Sequence, residues 1–171
     1  MPLPGHLYSR LRSWQTIVEL NRPDLLGLIR EAKRLCDRPR ELAQLEGLVT
    51  RNLGLAMFRA IEEAKIALSD DEETEVRFQR YPVDVAEPLS RSEFEAAISV
   101  QLRGARACVL AAVEAAGLRR EDVELVITTG GSSLIPAFRR MLEEALPRAQ
   151  LTATGTFTSV AAGLALAGAR E

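Results

Sequence analysis

The feature that most limits what this chain can become is a short run, Val123-Glu-Leu-Val-Ile-Thr128. It is followed at once by Gly130-Gly131-Ser132-Ser133 and then by a helical pattern with Pro136 near its first turn. A run this short and rich in β-branched residues has the look of a buried strand. Proline suits the first turn of a helix, where an N–H would have no intrahelical partner. Strand, glycine turn and helix in immediate succession imply layered α/β structure. The residues that follow offer the same order: Gln150 to Ala153 as a strand, Thr154-Gly155-Thr156 as a turn, and Ser159 to about Ala169 as an Ala-rich closing helix.

Upstream, the pattern changes. Leu11, Trp14, Ile17, Val18 and Leu20 fall at helical steps between Tyr8 and Leu20, and after Asn21-Arg22-Pro23 the carboxylate of Asp24 is placed to cap a second helix running to about Leu35. From Leu42 to Leu68 one apolar stripe continues through Leu45, Leu48, Leu53, Met57, Ile61 and Ala64, which predicts a single helix of roughly seven turns. Thr74 to Tyr81 alternates with the period of a half-buried strand, Pro82 closes it, and Val83 to Ala86 suggests a second short strand. Ser90-Arg91-Ser92-Glu93 is a capping box, opening a helix with Phe94, Ile98, Leu102, Ala105, Val109, Ala112, Val113 and Ala116 on one side and Gly117 at its end. The expected organisation is a mainly helical part with a small sheet over residues 1–87 and α/β layers over 88–171.

Composition narrows the function. With 22 Lys+Arg against 24 Asp+Glu the net charge is -2, so the basic surplus needed to hold a phosphate backbone is missing and nucleic acid is not an expected partner. No apolar stretch approaches the roughly 20 residues of a membrane span, and the start has no signal-peptide order, so a soluble, cytoplasmic protein is expected. One histidine and two cysteines cannot assemble a Cys/His zinc site; Cys36 and Cys108 are expected as buried free thiols.

Two constellations can carry chemistry. At Gly130-Gly131-Ser132, two residues without Cβ let a ligand approach the backbone, and amides at a helix start could face a phosphate or ribose. The same residues would equally make a tight turn, and neither a Walker lysine nor a GxGxxG spacing accompanies them. Glu62, Lys65 and Ser69 recur at helical spacing on one face, where a carboxylate can accept from sugar hydroxyls and an ammonium and a hydroxyl can donate; an ordinary solvated face with Glu62 paired to Lys65 fits the spacing as well.

Taken together, Ala60-Ile-Glu-Glu-Ala-Lys-Ile-Ala-Leu-Ser69 and Ile127-Thr-Thr-Gly-Gly-Ser-Ser-Leu-Ile-Pro136 resemble two segments of the heat-shock protein 70 (DnaK-type) chaperone family, in the family's order. Leu89-Ser-Arg-Ser-Glu-Phe-Glu95 is similar to the segment linking two subdomains of that family's second lobe, and Ser159-Val-Ala-Ala-Gly-Leu-Ala165 to its closing helix. The resemblance covers roughly residues 45–169, and the helical first part is most similar to the divergent bacterial branch typified by YegD.

The resemblance implies the second lobe of an actin-like ATPase. Residues 88–171 would be its ribonuclease H-like inner subdomain and residues 1–87 the outer one, with nucleotide between them. It implies that Glu62, Lys65 and Ser69 meet the adenosine from the outer subdomain, and that Gly130, Gly131 and Ser132 meet it from the inner one. Three positions depart from the family: Ile66 and Leu134 stand where it has arginines, and Phe157 where it has an acidic residue. Loss of guanidinium stacking on the purine removes roughly 0.5–2 kcal/mol.

No segment resembles the family's Asp-Leu-Gly-Gly-Gly-Thr or Asp-Phe-Gly-Thr phosphate hairpins. The resemblance therefore implies about the last third of an ATPase domain, inactive alone, whose partner is the missing first lobe. The Mg²⁺ that accompanies bound ATP or ADP would be held mainly by the segments this chain lacks, in the first lobe and early second lobe. The family's role in the stress response implies an unfolded polypeptide or an exchange factor as further partners. The competing reading is a non-catalytic interaction module on an actin-like lobe that has lost its nucleotide.

Overall fold

In the computed structural model, which describes residues 4–153 together with 163, 165 and 166, the chain divides into two units, Met1–Ser90 and Arg91–Glu171.

The first unit contains α1 (Gly5–Arg10), α2 (Trp14–Ile17), a 3₁₀ turn (Val18–Asn21), α3 (Pro23–Leu35), α4 (Pro39–Thr50), α5 (Gly54–Asp70) and an antiparallel hairpin of β1 (Glu73–Arg80) and β2 (Val83–Ser90). The helix expected from Tyr8 to Leu20 is in pieces. Ser13 is extended and its hydroxyl accepts from the Gln15 amide at 3.2 Å, so the side chain starts a new helix instead of continuing the old one. Asp24 does not cap α3. Pro23 takes the first helical position, Arg22 precedes it, and the Asp24 carboxylate pairs with Arg22 at 3.2 Å.

The expected seven-turn helix is two helices, α4 and α5. Asn52 adopts φ 53° after α4, with its amide donating to Val49 O at 3.1 Å and the Leu53 amide to Leu48 O at 2.9 Å. These are the two bonds of a Schellman ending with asparagine in the left-handed position. The apolar stripe continues across the break because both helices face one core. Leu48 and Val49 on one side, and Leu53, Ala56, Met57 and Ala60 on the other, pack with Leu7, Leu20, Ile29, Phe78 and Val83.

The hairpin sits on this core through Phe78 and Val83, its register running from Arg80↔Val83 to Glu73↔Ser90. β2 is thus twice the length expected of it. Its tip meets the helices twice: Pro82 lies against Gly47, and the Arg51 guanidinium is 5.0 Å from the centre of the Tyr81 ring. Between α3 and α4, Glu46 accepts from Lys33 Nζ at 2.5 Å and from Arg30 Nε at 2.6 Å. These bonds hold its carboxyl below its ordinary range, the lysine bond most.

The second unit contains α6 (Arg91–Ala97), α7 (Ser99–Ala115), β3 (Leu125–Thr128), α8 (Pro136–Ala145) and β4 (Gln150–Ala153), with β3 and β4 parallel. The one helix expected after Ser90 bends by 61° at Ile98. Gly117 ends α7 as expected, the Leu118 amide reaching Val113 O at 3.2 Å. Only Phe94 of the expected inward face is buried: Ile98, Leu102, Ala105, Val109 and Val113 are half-covered, and Ala112 and Ala116 are exposed.

β3 is not the buried strand its composition suggests. Leu125 is 52% and Ile127 60% exposed, because among the described residues the sheet has two strands and its second face is open. The thiols are free, but neither is fully buried: Cys36 is half-covered, and Cys108 lies exposed on α7. The turn at Thr154–Thr156, Phe157 and most of the expected closing helix lie outside the described residues. No single helix among the described residues is long and apolar enough to cross a membrane.

Candidate functional site

The first constellation lies on α5, in the first unit. At roughly 100° per residue, Glu62, Lys65, Ile66 and Ser69 fall within one arc of the helix, opposite the arc of Ala64 and Leu68 that faces the core. Burial of those two fixes the rotation of α5 and turns the other four away from the core, Glu62 and Ile66 exposed and Lys65 and Ser69 half-covered. Lys65 Nζ donates to Glu62 Oε1 at 2.7 Å, the pairing anticipated from their spacing. The ammonium retains donor capacity, since three N–H bonds are available and one is used here. Ile66 is 61% exposed between these polar groups, an apolar plate on an otherwise hydrophilic face.

The second constellation lies in the second unit, between β3 and α8. Gly130 has φ 83° and ψ 157°, a region that side chains with a Cβ essentially do not enter. That conformation turns the chain sharply out of β3 into a 3₁₀ turn, Gly131–Leu134, which the Ser133 hydroxyl closes by donating to Gly130 O at 2.7 Å. Among the described residues the amides of Gly131 and Ser132 donate to nothing, and both residues are exposed. Leu134 is 42% exposed at the end of the turn.

A pocket of about 130 Å³ lies beside this turn, lined by Thr128, Ser133, Leu134 and Thr152 among others. Ligand pockets for drug-sized molecules run to roughly 300–1,000 Å³, so this one is too small to enclose a nucleoside by itself. Among the described residues no group of three or more His, Cys, Asp and Glu is placed to hold a metal ion.

Each constellation offers its own set of groups for a ligand. The face on α5 has a carboxylate, an ammonium and a hydroxyl for sugar hydroxyls. The turn has two free amides and a backbone without obstructing side chains. Ile66 in the first unit and Leu134 in the second each add exposed apolar surface beside these groups.

The family model described as Hsp70 protein matches residues 49–169, and the chain belongs to the Hsp70 family. It is 30% identical over 135 residues to "Chaperone protein dnaK" of Cyanophora paradoxa, covering 74% of this chain and 22% of that protein. It is 35% identical over 98 residues to "Chaperone protein dnaK1" of Synechocystis, covering 54% and 14%. Similarity to "Chaperone protein DnaK" of Deinococcus radiodurans is 31% over 118 residues, covering 64% and 19%. The chain therefore spans between 14% and 22% of the length of these curated relatives.

Proposed function

We propose that this chain supplies the adenosine-facing part of an Hsp70-type nucleotide-binding domain. In this reading the first unit is the outer and the second unit the inner subdomain of an actin-like second lobe. The first contributes Glu62, Lys65, Ile66 and Ser69, and the second contributes Gly130, Gly131, Ser132 and Leu134. The observation that carries the reading is the rotation of α5: Glu62, Lys65 and Ser69, with Ile66 between them, share one side because Ala64 and Leu68 hold another in the core.

The ligand is ATP or ADP, bound through its nucleoside, with Mg²⁺ and the phosphates held by other segments of the ATPase domain. Those segments are the first partner of this chain; an exchange factor and an unfolded polypeptide follow as partners of the whole chaperone. The exposed apolar side chains Leu125 and Ile127 on one face of β3 support a covering layer supplied by that domain. Membership of the YegD-like branch and a cytoplasmic stress-response role belong to the same proposal.

Ile66 and Leu134 favour weak nucleotide binding, because burial against aliphatic groups replaces cation stacking worth roughly 0.5–2 kcal/mol. Calorimetric titration of Mg-ATP tests this on the chain alone and on a DnaK ATPase domain whose matching segment is exchanged for residues 45–169. The exchanged domain is expected to bind with a Kd above the micromolar range, and Lys65→Ala to weaken binding further. Absence of heat from both proteins would remove the nucleotide reading. It would leave the second one, a non-catalytic interaction module, which the exposure of Ile66 and Leu134 favours.

A further inference from the structure

β1 has an open outer edge. The Asp84 amide donates to Gln44 Oε1 on α4 at 3.0 Å, so it points away from β1 and the pair Gln79↔Asp84 is not hydrogen-bonded. Backbone direction alternates along an antiparallel pair, so Glu75, Arg77 and Gln79 turn their N–H and C=O groups to the outer side of β1. Among the described residues these three amides donate to nothing. A groove of about 520 Å³ follows the same edge. It touches Arg77, Phe78, Gln79 and Arg80 in succession, although successive side chains point to opposite faces, so it runs along the backbone and leaves that edge uncovered. The edge of β2 is less available: Gln44 occupies the Asp84 amide, and Pro88 has no N–H. β1 contains no proline.

Charge along this edge is segregated by sign. Glu72, Glu73 and Glu75 come first, and Arg77 and Arg80 follow. Among the described residues Arg80 is in no ion pair. Arg77 reaches Glu75 on its own strand only at 4.0 Å, with both side chains more than half exposed. An edge guarded by charge of one sign repels its own copy in every register. An edge acidic in its first half and basic in its second attracts its own copy when the two run antiparallel.

We propose that β1 pairs antiparallel with β1 of a second copy of this chain, about a two-fold axis at Val76, joining the two hairpins into one four-stranded sheet. Such an interface is self-complementary, each contact occurring twice. Residues directly opposite share a face, and opposite charges there attract. In this register Glu75 stands opposite Arg77 of the second copy, Glu73 opposite its Gln79, and Glu72, just before the strand, opposite its Arg80. A slide of two residues sets Glu75 against Glu75 or Arg77 against Arg77. A slide of one opposes outward backbone groups to inward ones. Charge thus selects the register as well as the partner. None of Glu62, Lys65, Ile66 and Ser69 lines the groove, so the pairing does not depend on the nucleotide reading.

Sedimentation equilibrium of the full chain, with thermal midpoints measured in parallel, tests the pairing. The wild type is expected to dimerise, and more weakly at high salt. Glu75→Arg and Arg77→Glu each set like charges across both pairs, and each alone should raise the dimer dissociation constant at least tenfold. Mixed in equal amounts, the two variants should dimerise, since every pair then has opposite signs. The double variant Glu75→Arg/Arg77→Glu should likewise recover the wild-type constant. Misfolding of either single variant would produce neither recovery. Register is read by oxidising Val76→Cys in a Cys36→Ser/Cys108→Ser background. The two positions at the axis form a non-hydrogen-bonded pair with Cα atoms about 4.5 Å apart, within the span of a disulfide. A cross-linked dimer is expected from Val76→Cys and not from Thr74→Cys. A wild-type chain that stays monomeric to near-millimolar concentration, single variants that dimerise like the wild type, or a double variant that does not recover would overturn the proposal. Cross-linking from Thr74→Cys in place of Val76→Cys would do the same.

Discussion

Gly47 on α4 lies so close to Pro82 at the hairpin tip that a Cβ there would overlap the ring at Cγ and come within 2.8 Å of Cδ. A proline ring is tied to the backbone at both ends and cannot swing aside as a flexible side chain would. Exchange of glycine for alanine inside a helix ordinarily gains about 1 kcal/mol, whereas overpacking a tight contact costs typically 1–3 kcal/mol. Here the clash opposes the propensity. Gly47→Ala is expected to lower stability by about 1 kcal/mol in urea unfolding, and in doing so to part α4 from β2; a stabilised variant would show that the tip gives way freely.

Glu46 joins α3 to α4 through Lys33 and Arg30, and its side chain is only 18% exposed. Because its folded pKa lies below its ordinary 4.5, the contribution to stability is fully present above that value and is lost as the pH falls through the lower, folded one. Glu46→Gln should therefore cost about 1 kcal/mol at neutral pH and flatten the acid limb of stability. Urea midpoints measured from pH 6 down to pH 3 would check this. An unchanged acid limb in the variant would count against the linkage.

Gly130 is required by its backbone alone, since a Cβ built there meets nothing within 4 Å while the φ of 83° disfavours any side chain. Gly130→Ala should cost about 1–3 kcal/mol through the φ of 83°, with no steric clash to relieve. Gly131 begins the 3₁₀ turn without a positive φ, so Gly131→Ala is the comparison and lacks that backbone penalty. Thermal unfolding of the two variants side by side distinguishes backbone strain from a general intolerance of side chains in the turn.

Asp122 closes the 3₁₀ turn after α7, accepting from the Arg119 side chain at 2.8 Å and from its backbone amide at 2.9 Å. Together these bonds lower its pKa to about 2, the side-chain bond contributing most. Whatever it adds to folding is present above the ordinary 3.8 and lost only as the pH falls through about 2. The carboxyl carbon resonance of Asp122 should move little between pH 6 and 3. In Arg119→Ala it should titrate nearer 3.8, because the guanidinium bond is gone.

Several elements were readable from local pattern. The span of α3, the alternation of β1, the end of α7 at Gly117 and Pro136 at the start of α8 each follow from residues next to one another. The break at Asn52 carried a local signal, an asparagine two residues before a glycine. The apolar stripe hid it, because α4 and α5 share one core and the stripe stays in phase through the turn. Ser13 likewise outweighed a stripe that its neighbours kept intact. The face of Glu62, Lys65 and Ser69 was readable from spacing, because helix geometry alone puts those positions together; Ile66 came from the family resemblance.

Sequence by itself determined the segments that pair and wind, the family, and the residues that share a face on α5, since all of these rest on short-range periodicity and local backbone preference. Tertiary structure decided which strand edge stays open. The exposure of Leu125 and Ile127 and the groove along β1 depend on what packs over them from far along the chain. No pattern of neighbouring residues encodes whether a distant layer packs on a given face.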